Sequence, residues 1–288
     1  MRKKIAFYSH IPVSMSNQKL YTPSYIGKYI DEIASHSEQL YLIAHLHSHD
    51  FEINDYELIS SNIIFHDIGY KQNSIARFLY GFFFLRKINS KKFDHLIVRA
   101  PTPLFFWFRI LFPKVKLHYL IVADEKEGAL IKNINNLRDI FVKTFLLISD
   151  YLFSICVKGT RSFVNSKALY NKYSKTSNIE LVSTSNLSDK DFVNKLNFDF
   201  SLNLNLLYVG RLDLSKGILE TLEAIKILND MNIACNYNIV GWDDSFGKNE
   251  SIIREKVEKL NILKNVNFAG KVSQGEKLND IYRNSDIF

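Results

Sequence analysis

The chain has 288 residues with a formal net charge of +7, 47% hydrophobic and 23% charged residues, which excludes a disordered polypeptide and leaves room for two domains of ordinary size. The positive excess favours anionic partners such as nucleotide-sugars or acidic lipid headgroups. It is spread along the chain without a run of five or six Lys/Arg, so nucleic acid is the least favoured partner and none is expected.

The opening residues, MRKKIAFYSHIP, combine charge with a short apolar run and read as a first strand rather than a signal peptide. Lys4–Ser9 is that strand, and a helix follows from about Pro23 with Tyr25, Ile26, Tyr29, Ile30 and Ile33 at helical spacing. Strands are expected at Leu40–Ala44, Ile63–His66, His95–Arg99 and Lys116–Ala123, with a short aromatic helix ending at Phe112. Asn135 to about Val157 reads as one long helix, followed by a strand at Arg161–Asn165, a helix at Lys167–Tyr173 and a strand at Ile179–Val182. The longest apolar stretch, Phe141–Val157, is interrupted by Lys143 and Asp150 and is not expected to span a bilayer.

From Leu187 to Leu202 the chain turns polar, which marks an interdomain connection. The same grammar then repeats: strand Leu204–Val209, helix Lys216–Met231, strand Cys235–Val240, helix Asn249–Leu260, strand Val266–Ala269 and helix Gln274–Tyr282. Strands alternating with helices argue for α/β domains with doubly wound parallel sheets. The expected domains are residues 1–188 and 203–288, joined by about 189–202. Asp286-Ile287-Phe288 reads as the start of a further strand, so the second domain is expected to be incomplete.

The most informative stretch is LLYVGRLDLSKG, Leu206 to Gly217. A strand that stops at Gly210 and hands over to a helix near Lys216-Gly217 places backbone N–H groups at the carboxyl edge of a sheet, where open α/β sheets bind ligands. Arg211 and Lys216 add two cations at that edge, and an arginine can fork onto a phosphate. These four residues taken alone also occur by chance in α/β proteins. The wider segment VGRLDLSKGILETLEAI, followed in order by NIVGWD and VNFAGKVSQGEKLNDIYRNSDIF, resembles the donor-binding region of glycosyltransferase family 4.

That resemblance covers nearly all of the chain after Asn203. It implies a GT-B fold of two Rossmann-like domains, a nucleoside-diphosphate sugar as donor, and retention at the transferred sugar. It further implies that Arg211 and Lys216 grip the donor diphosphate, with Gly210 leaving room for the phosphates. Gly241 either lets backbone approach the nucleotide or simply ends a strand. The family's Glu–seven residues–Glu pattern has no counterpart here, and Asp243 and Asp244 follow a different strand and do not replace it. No cofactor and no metal are expected, in keeping with the metal-independent scheme that the resemblance implies.

In the first half, His10, Lys19 and Arg99 are acceptor-side candidates near strand ends, although the loop PVSMSNQKLYTP lacks the paired glycines of many relatives. Asp124 is the catalytic candidate, able to orient an acceptor hydroxyl or take its proton, with a helix cap or a solvated turn as the alternative. His45, His47 and His49 alternate beside Asp50, a spacing that zinc could use but that half-exposed loops also show. Cys156 and Cys235 read as buried thiols, compatible with a reducing cytoplasm. Two aromatic clusters, Phe78–Leu85 and Leu104–Phe112, are either core or an interfacial face beside Arg86, Lys87 and Arg109.

The expected function is transfer of a sugar to an acceptor hydroxyl of a glycan or lipid-linked acceptor in surface polysaccharide or glycolipid synthesis. The location expected is the cytoplasm, peripheral to an anionic membrane surface. The rivals are a sugar-nucleotide epimerase of the same fold and a truncated, non-catalytic fragment.

Overall fold

A computed structural model describes residues 2–47, 54–69, 74–131, 137–175, 178–182, 203–243, 245, 247–273 and 275–288. His49, Asp50, Asp244 and the expected connection at 189–202 lie outside the described residues. The chain divides into two compact units, Met1–Asn186 and Leu187–Phe288.

The first unit runs β1 (Lys4–Tyr8), β2 (Val13–Ser16), β3 (Lys19–Thr22), α1 (Ser24–His36), β4 (Gln39–Ala44), β5 (Leu46–His47), β6 (Tyr56–Glu57) and β7 (Ile63–Asp67). It continues with α2 (Ser74–Leu85), β8 (His95–Ala100), α3 (Phe105–Leu111), β9 (Lys116–Ile121), α4 (Glu125–Ile131), α5 (Leu137–Val157), β10 (Arg161–Val164), α6 (Lys167–Tyr173) and β11 (Asn178–Leu181). Seven of these strands form one sheet in the order β11-β10-β9-β8-β1-β4-β7, paired in parallel throughout. Burial on both faces explains the nearly continuous apolar runs, and the two-residue period of a strand sorts them. Ala6, Tyr8, Tyr41 and Ile43 enter one core, while Phe7, Leu40, Leu42 and Ala44 enter the other.

Sequence periodicity does not anticipate the second sheet, ordered β5-β2-β3-β6. The segment read as a loop after His10 is an antiparallel hairpin of β2 and β3, turned at Asn17 and Gln18 with φ of 50° and 63°. Two successive left-handed residues are what a tight two-residue hairpin needs, and Asn tolerates that region well. Gln18 gives no such signal, so the turn was hidden.

Helices α2, α3 and α5 cover the core face that holds Leu85, Phe105, Phe108, Phe153 and Val157. Their outer surfaces remain apolar: Phe83 is 62% exposed, Leu79 57% and Phe141 79%. Phe78, Phe105, Phe106, Phe145, Ile148 and Leu152 line an apolar cavity of about 140 Å³ among these helices. Phe82, Phe106 and Trp107 are half-buried, with Trp107 Nε1 donating to the Phe78 carbonyl at 2.6 Å. The two aromatic clusters are therefore both core and surface. Contrary to the expectation for the apolar stretch, Asp139–Val157 is long and apolar enough to cross a membrane by length and composition, and 22% of it is buried. Its inner edge is nevertheless built into the unit, because Ser149, Asp150, Phe153 and Val157 are buried there.

The second unit runs β12 (Leu204–Val209), a 3₁₀ turn (Leu214–Lys216), α7 (Ile218–Asp230), β13 (Cys235–Val240), α8 (Lys248–Lys259), a second 3₁₀ turn (Leu263–Asn265), β14 (Val266–Gly270) and α9 (Glu276–Arg283). Its parallel sheet has the order β12-β13-β14. Leu206 also bridges Ile287 in parallel, and Leu207 N donates to the Ile287 carbonyl at 2.8 Å. Ile218, Leu222, Ile225, Ile253 and Val257 of α7 and α8 pack on Tyr237 and Ile239 of β13.

One ion cluster ties the first unit together. Lys172 Nζ of α6 lies 2.8 Å from Asp124 Oδ1 and 2.6 Å from Asp150 Oδ1 of α5. Burial by itself would lower the Lys172 pKa, but its hydrogen bonds to both aspartates outweigh this and raise it. Burial would raise that of Asp124, yet the Lys172 contact and the backbone N–H groups of Lys126 and Glu127 hold it below the ordinary value. A depressed folded-state pKa contributes stability above the unfolded value, which is lost as pH falls through the folded value. Removing Lys172 leaves two largely buried carboxylates without their cation. Lys172→Met should destabilise the first unit by roughly 2–4 kcal/mol at neutral pH, and the deficit should shrink as pH falls below the ordinary aspartate range. Denaturant unfolding followed at Trp107, in a Trp242→Phe background, checks both statements; an unchanged midpoint at neutral pH would count against them.

Candidate functional site

The second unit ends its three strands side by side at glycines. Gly210 N donates to the Val240 carbonyl and Gly241 N to the Gly270 carbonyl, each at 2.9 Å. A Cβ on Gly241 would lie 1.7 Å from the Gly210 carbonyl oxygen. Real Cβ atoms cannot approach so closely. Of the two sequence readings of Gly241, the contact seen is therefore a backbone–backbone approach that closes the sheet edge.

Arg211 and Lys216 stand at this edge, both exposed. Arg211 Nη2 lies 3.8 Å from Asp213 Oδ2, and its carbonyl accepts from the Tyr208 hydroxyl and from Asp213 N. Asp213 Oδ1 accepts from Ser215 N at 3.0 Å and from Ser215 Oγ at 2.8 Å, capping the 3₁₀ turn that carries Lys216. These Ser215 hydrogen bonds, then the charges of Arg211 and Lys216, hold the Asp213 carboxyl below its usual value. Asp213 is thus a shared anionic neighbour of both cations and fixes the turn between them. Sequence reasoning passed over it, although Asp-x-Ser is a recognisable capping pattern.

The helix after this turn begins later than its sequence pattern suggests. Lys216 closes the 3₁₀ turn and Gly217, with φ 76° and ψ 15°, separates it from α7. Only a residue tolerating the left-handed region makes that break cheaply, which is why Gly stands there. No side chain caps α7. Its first-turn N–H groups and the two cations therefore belong to one loop-to-helix junction.

Two further groups share this edge. Lys271 follows β14 and lies over the Trp242 ring, 5.5 Å from its centroid. Asp243 accepts from Ser245 N at 2.7 Å and Glu250 N at 2.9 Å, and so anchors the start of α8. Asn249 Nδ2 in turn donates to the Leu212 carbonyl at 2.8 Å, tying the Arg211 loop to α8.

In the first unit, His10 and Arg99 come together and Lys19 does not join them. Arg99 Nη1 lies 3.0 Å from His10 Nε2, at the carboxyl ends of β8 and β1. Burial, then the charges of Arg99 and Arg77, push the His10 pKa down to about 4. The imidazole is therefore neutral at pH 7 and accepts from the guanidinium. Lys19 instead pairs with Glu57 at 2.8 Å across the antiparallel β3 and β6 of the second sheet, an exposed contact that raises its pKa.

Asp124 takes the capping role that was its alternative. Its Oδ1 accepts from Lys126 N at 2.9 Å and from Glu127 N at 3.4 Å as well as from Lys172. A carboxylate so occupied, with a depressed pKa, is a poor proton acceptor. The three-histidine reading also changes. His45 is buried in the joint between β4 and β5, where Nδ1 donates to the Gly69 carbonyl at 2.5 Å, while exposed His47 lies on a strand of the other sheet. Among the described residues no group of three or more His, Cys, Asp or Glu could hold a metal ion.

Residues 199–288, within the second unit, match the family model described as glycosyl transferases group 1. Protein CapJ of Staphylococcus aureus is 28% identical over 204 residues, covering 70% of this chain and 50% of CapJ. The match therefore spans half the length of that relative. Among solved structures, WaaG, a glycosyltransferase involved in lipopolysaccharide biosynthesis, superposes with a TM-score of 0.61 at 11% identity, covering 98% of this chain and 73% of its own. Anabaena Alr3699/HepE, solved with UDP and glucose, gives a TM-score of 0.53 at 12% identity, covering 94% and 70%. The chain thus has the α/β fold of GT-B glycosyltransferases, and its second unit carries a match to the glycosyl transferases group 1 model.

Proposed function

We propose that this chain belongs to a retaining glycosyltransferase that moves a sugar from a nucleoside-diphosphate sugar to an acceptor hydroxyl, in surface polysaccharide or glycolipid synthesis. The observation that carries the reading is the pair Arg211 and Lys216, held around Asp213 at the carboxyl edge of a parallel sheet and beside the uncapped start of α7. The group 1 match over the same residues and the UDP complex of HepE support a nucleotide-sugar donor.

In this reaction the bond between the anomeric carbon and the diphosphate oxygen breaks, and its electron pair stays with the diphosphate. The acceptor oxygen forms the new bond and gives up its proton, which passes to the departing diphosphate. Negative charge therefore gathers on the leaving group, where Arg211, Lys216 and the α7 N–H groups stabilise it more in the transition state than in the ground state. No metal and no cofactor have a part in this scheme, and no catalytic step is assigned to Asp124.

The same protein would work peripherally at an anionic bilayer. The exposed apolar residues of α2 and α5, beside exposed Arg86, Lys87 and Arg109, form the combination that enters a headgroup region: apolar side chains inward, cations against lipid phosphates.

Two measurements on the full-length protein follow. Arg211→Ala should lower turnover by roughly 2–4 kcal/mol in transition-state stabilisation, Lys216→Ala should act similarly, and the double variant should fall short of the sum. Wild-type nucleoside-diphosphate binding and turnover in both single variants would remove the site assignment, and epimer interconversion without acceptor would replace transfer by epimerisation. Flotation with liposomes should require anionic lipid, weaken with salt, and fall several-fold in Phe83→Ser/Phe141→Ser. Equal flotation on neutral vesicles would dismiss the membrane surface.

A further inference from the structure

Arg99 and His10 form a contact at the carboxyl end of the large sheet, which the donor scheme does not use. The Arg99 guanidinium is half-buried and its hydrogen-bond partner is the neutral ring of His10, at 3.0 Å. Tyr25 and Tyr29 of α1 lie near enough to act on Arg99 electrostatically. Arg77 of α2 does the same to Tyr8, His10 and His45. The His10 ring thus accepts from Arg99 and also feels the charge of Arg77. Among the described residues no carboxylate lies within ion-pair distance of Arg99. Of the acids at the same sheet edge, Asp124 after β9 is paired with Lys172, and Asp67 of β7 is engaged by the backbone N–H groups of Leu46 at 2.9 Å and Gly69 at 2.8 Å.

The contrast with Lys172 in the same unit is informative. There a largely buried cation has two aspartates at hydrogen-bond distance. Taking a guanidinium partly out of water without a counter-ion is unfavourable. An arginine presents five N–H donors, of which the contact to His10 engages Nη1 alone. The remaining donors match a group with several oxygens in a plane or tetrahedron, as phosphate and carboxylate have. The position suits a substrate as well, since ligands of parallel sheets bind at the carboxyl ends of the strands.

We infer that Arg99, with Arg77 and His10, binds an anionic group carried by the acceptor, a phosphoryl or carboxylate substituent on the sugar or lipid that receives the transferred residue. This rests on the transferase reading for the word acceptor, but the anion site itself stands on the geometry of the first unit. Arg99 forks onto the anion, His10 holds the guanidinium in place through its lone pair, and Arg77 strengthens the local field.

The test uses the full chain with isotopically labelled histidine, its His10 ring signals assigned with His10→Gln. At pH 7 and constant ionic strength in chloride, inorganic phosphate and glucuronate are titrated separately. At least one should shift the His10 ring signals saturably. The response should be lost in Arg99→Gln, survive more weakly in Arg99→Lys, and need at least about tenfold more anion in Arg77→Gln, a change equivalent to a 1.4 kcal/mol difference. Tighter binding of phosphate assigns a phosphorylated acceptor, and tighter binding of glucuronate a uronic acid. In parallel, UDP binding is read at Trp242 with wild type and Arg211→Ala. A His10 signal unmoved by either anion, while UDP binds, overturns the inference and leaves the transferase reading intact. A response that persists unchanged in folded Arg99→Gln overturns it as well. A His10 response with no UDP binding removes the acceptor assignment and points the failure at the donor reading instead.

Discussion

Burial of both faces of a parallel sheet is the constraint from which the rest of this molecule follows. In the first unit, alternate residues of β1 and β4 enter two separate cores, so no face is left for polar chemistry. Polar and charged groups are pushed to the strand ends, and the right-handed connections bring loops and helix starts to the carboxyl ends. That is where His10 and Arg99 stand in one unit, and Gly210, Arg211 and Gly241 in the other. The chemistry is concentrated because the sheet admits it nowhere else.

How each cation is compensated separates structural from functional charge. Lys172 sits between two aspartates and joins α5 and α6 to the α4 start. Arg161 meets Glu180 and Lys19 meets Glu57 on the surface, where such pairs contribute little. Arg211 and Lys216 share Asp213, whose carboxylate also accepts from Ser215. Arg99 has an imidazole instead of an acid.

The apolar surface of α2, α3 and α5 reflects a second imbalance. These helices satisfy the core with one side, through Leu85, Phe108 and Val157, and carry large apolar side chains on the other. A helix of a water-surrounded domain ordinarily keeps its outer face polar. The cavity of about 140 Å³ among them is lined by six aromatic or aliphatic side chains besides Pro103 and Ser149, so its walls suit hydrocarbon better than water.

The order and type of most elements were legible in the chain itself, because apolar runs bounded by Gly, Pro and polar residues reflect local geometry and burial. The stretch from Leu206 to Gly217 likewise carried its own meaning: a buried strand, a glycine, two cations and a turn lie within one short segment. Features made by residues far apart were not legible. Gly241 is needed because the Gly210 backbone lies against it, and nothing near position 241 records that contact. Asp124 looks like a carboxylate at a strand end until Lys172 is seen 2.8 Å away. The hairpin at Asn17-Gln18 resembled a polar loop, since its strands are short and their partners include β5 and β6 further along the chain. His10 and Arg99 are separated by 89 residues and meet only because β1 and β8 are neighbours in the sheet. Sequence by itself determined the local periodicity and the contiguous strand–glycine–cation motif, since both depend on neighbours along the chain. Tertiary structure decided which charges are paired with which, because an ion pair depends on distance through space, and the packing of strands and helices sets that distance.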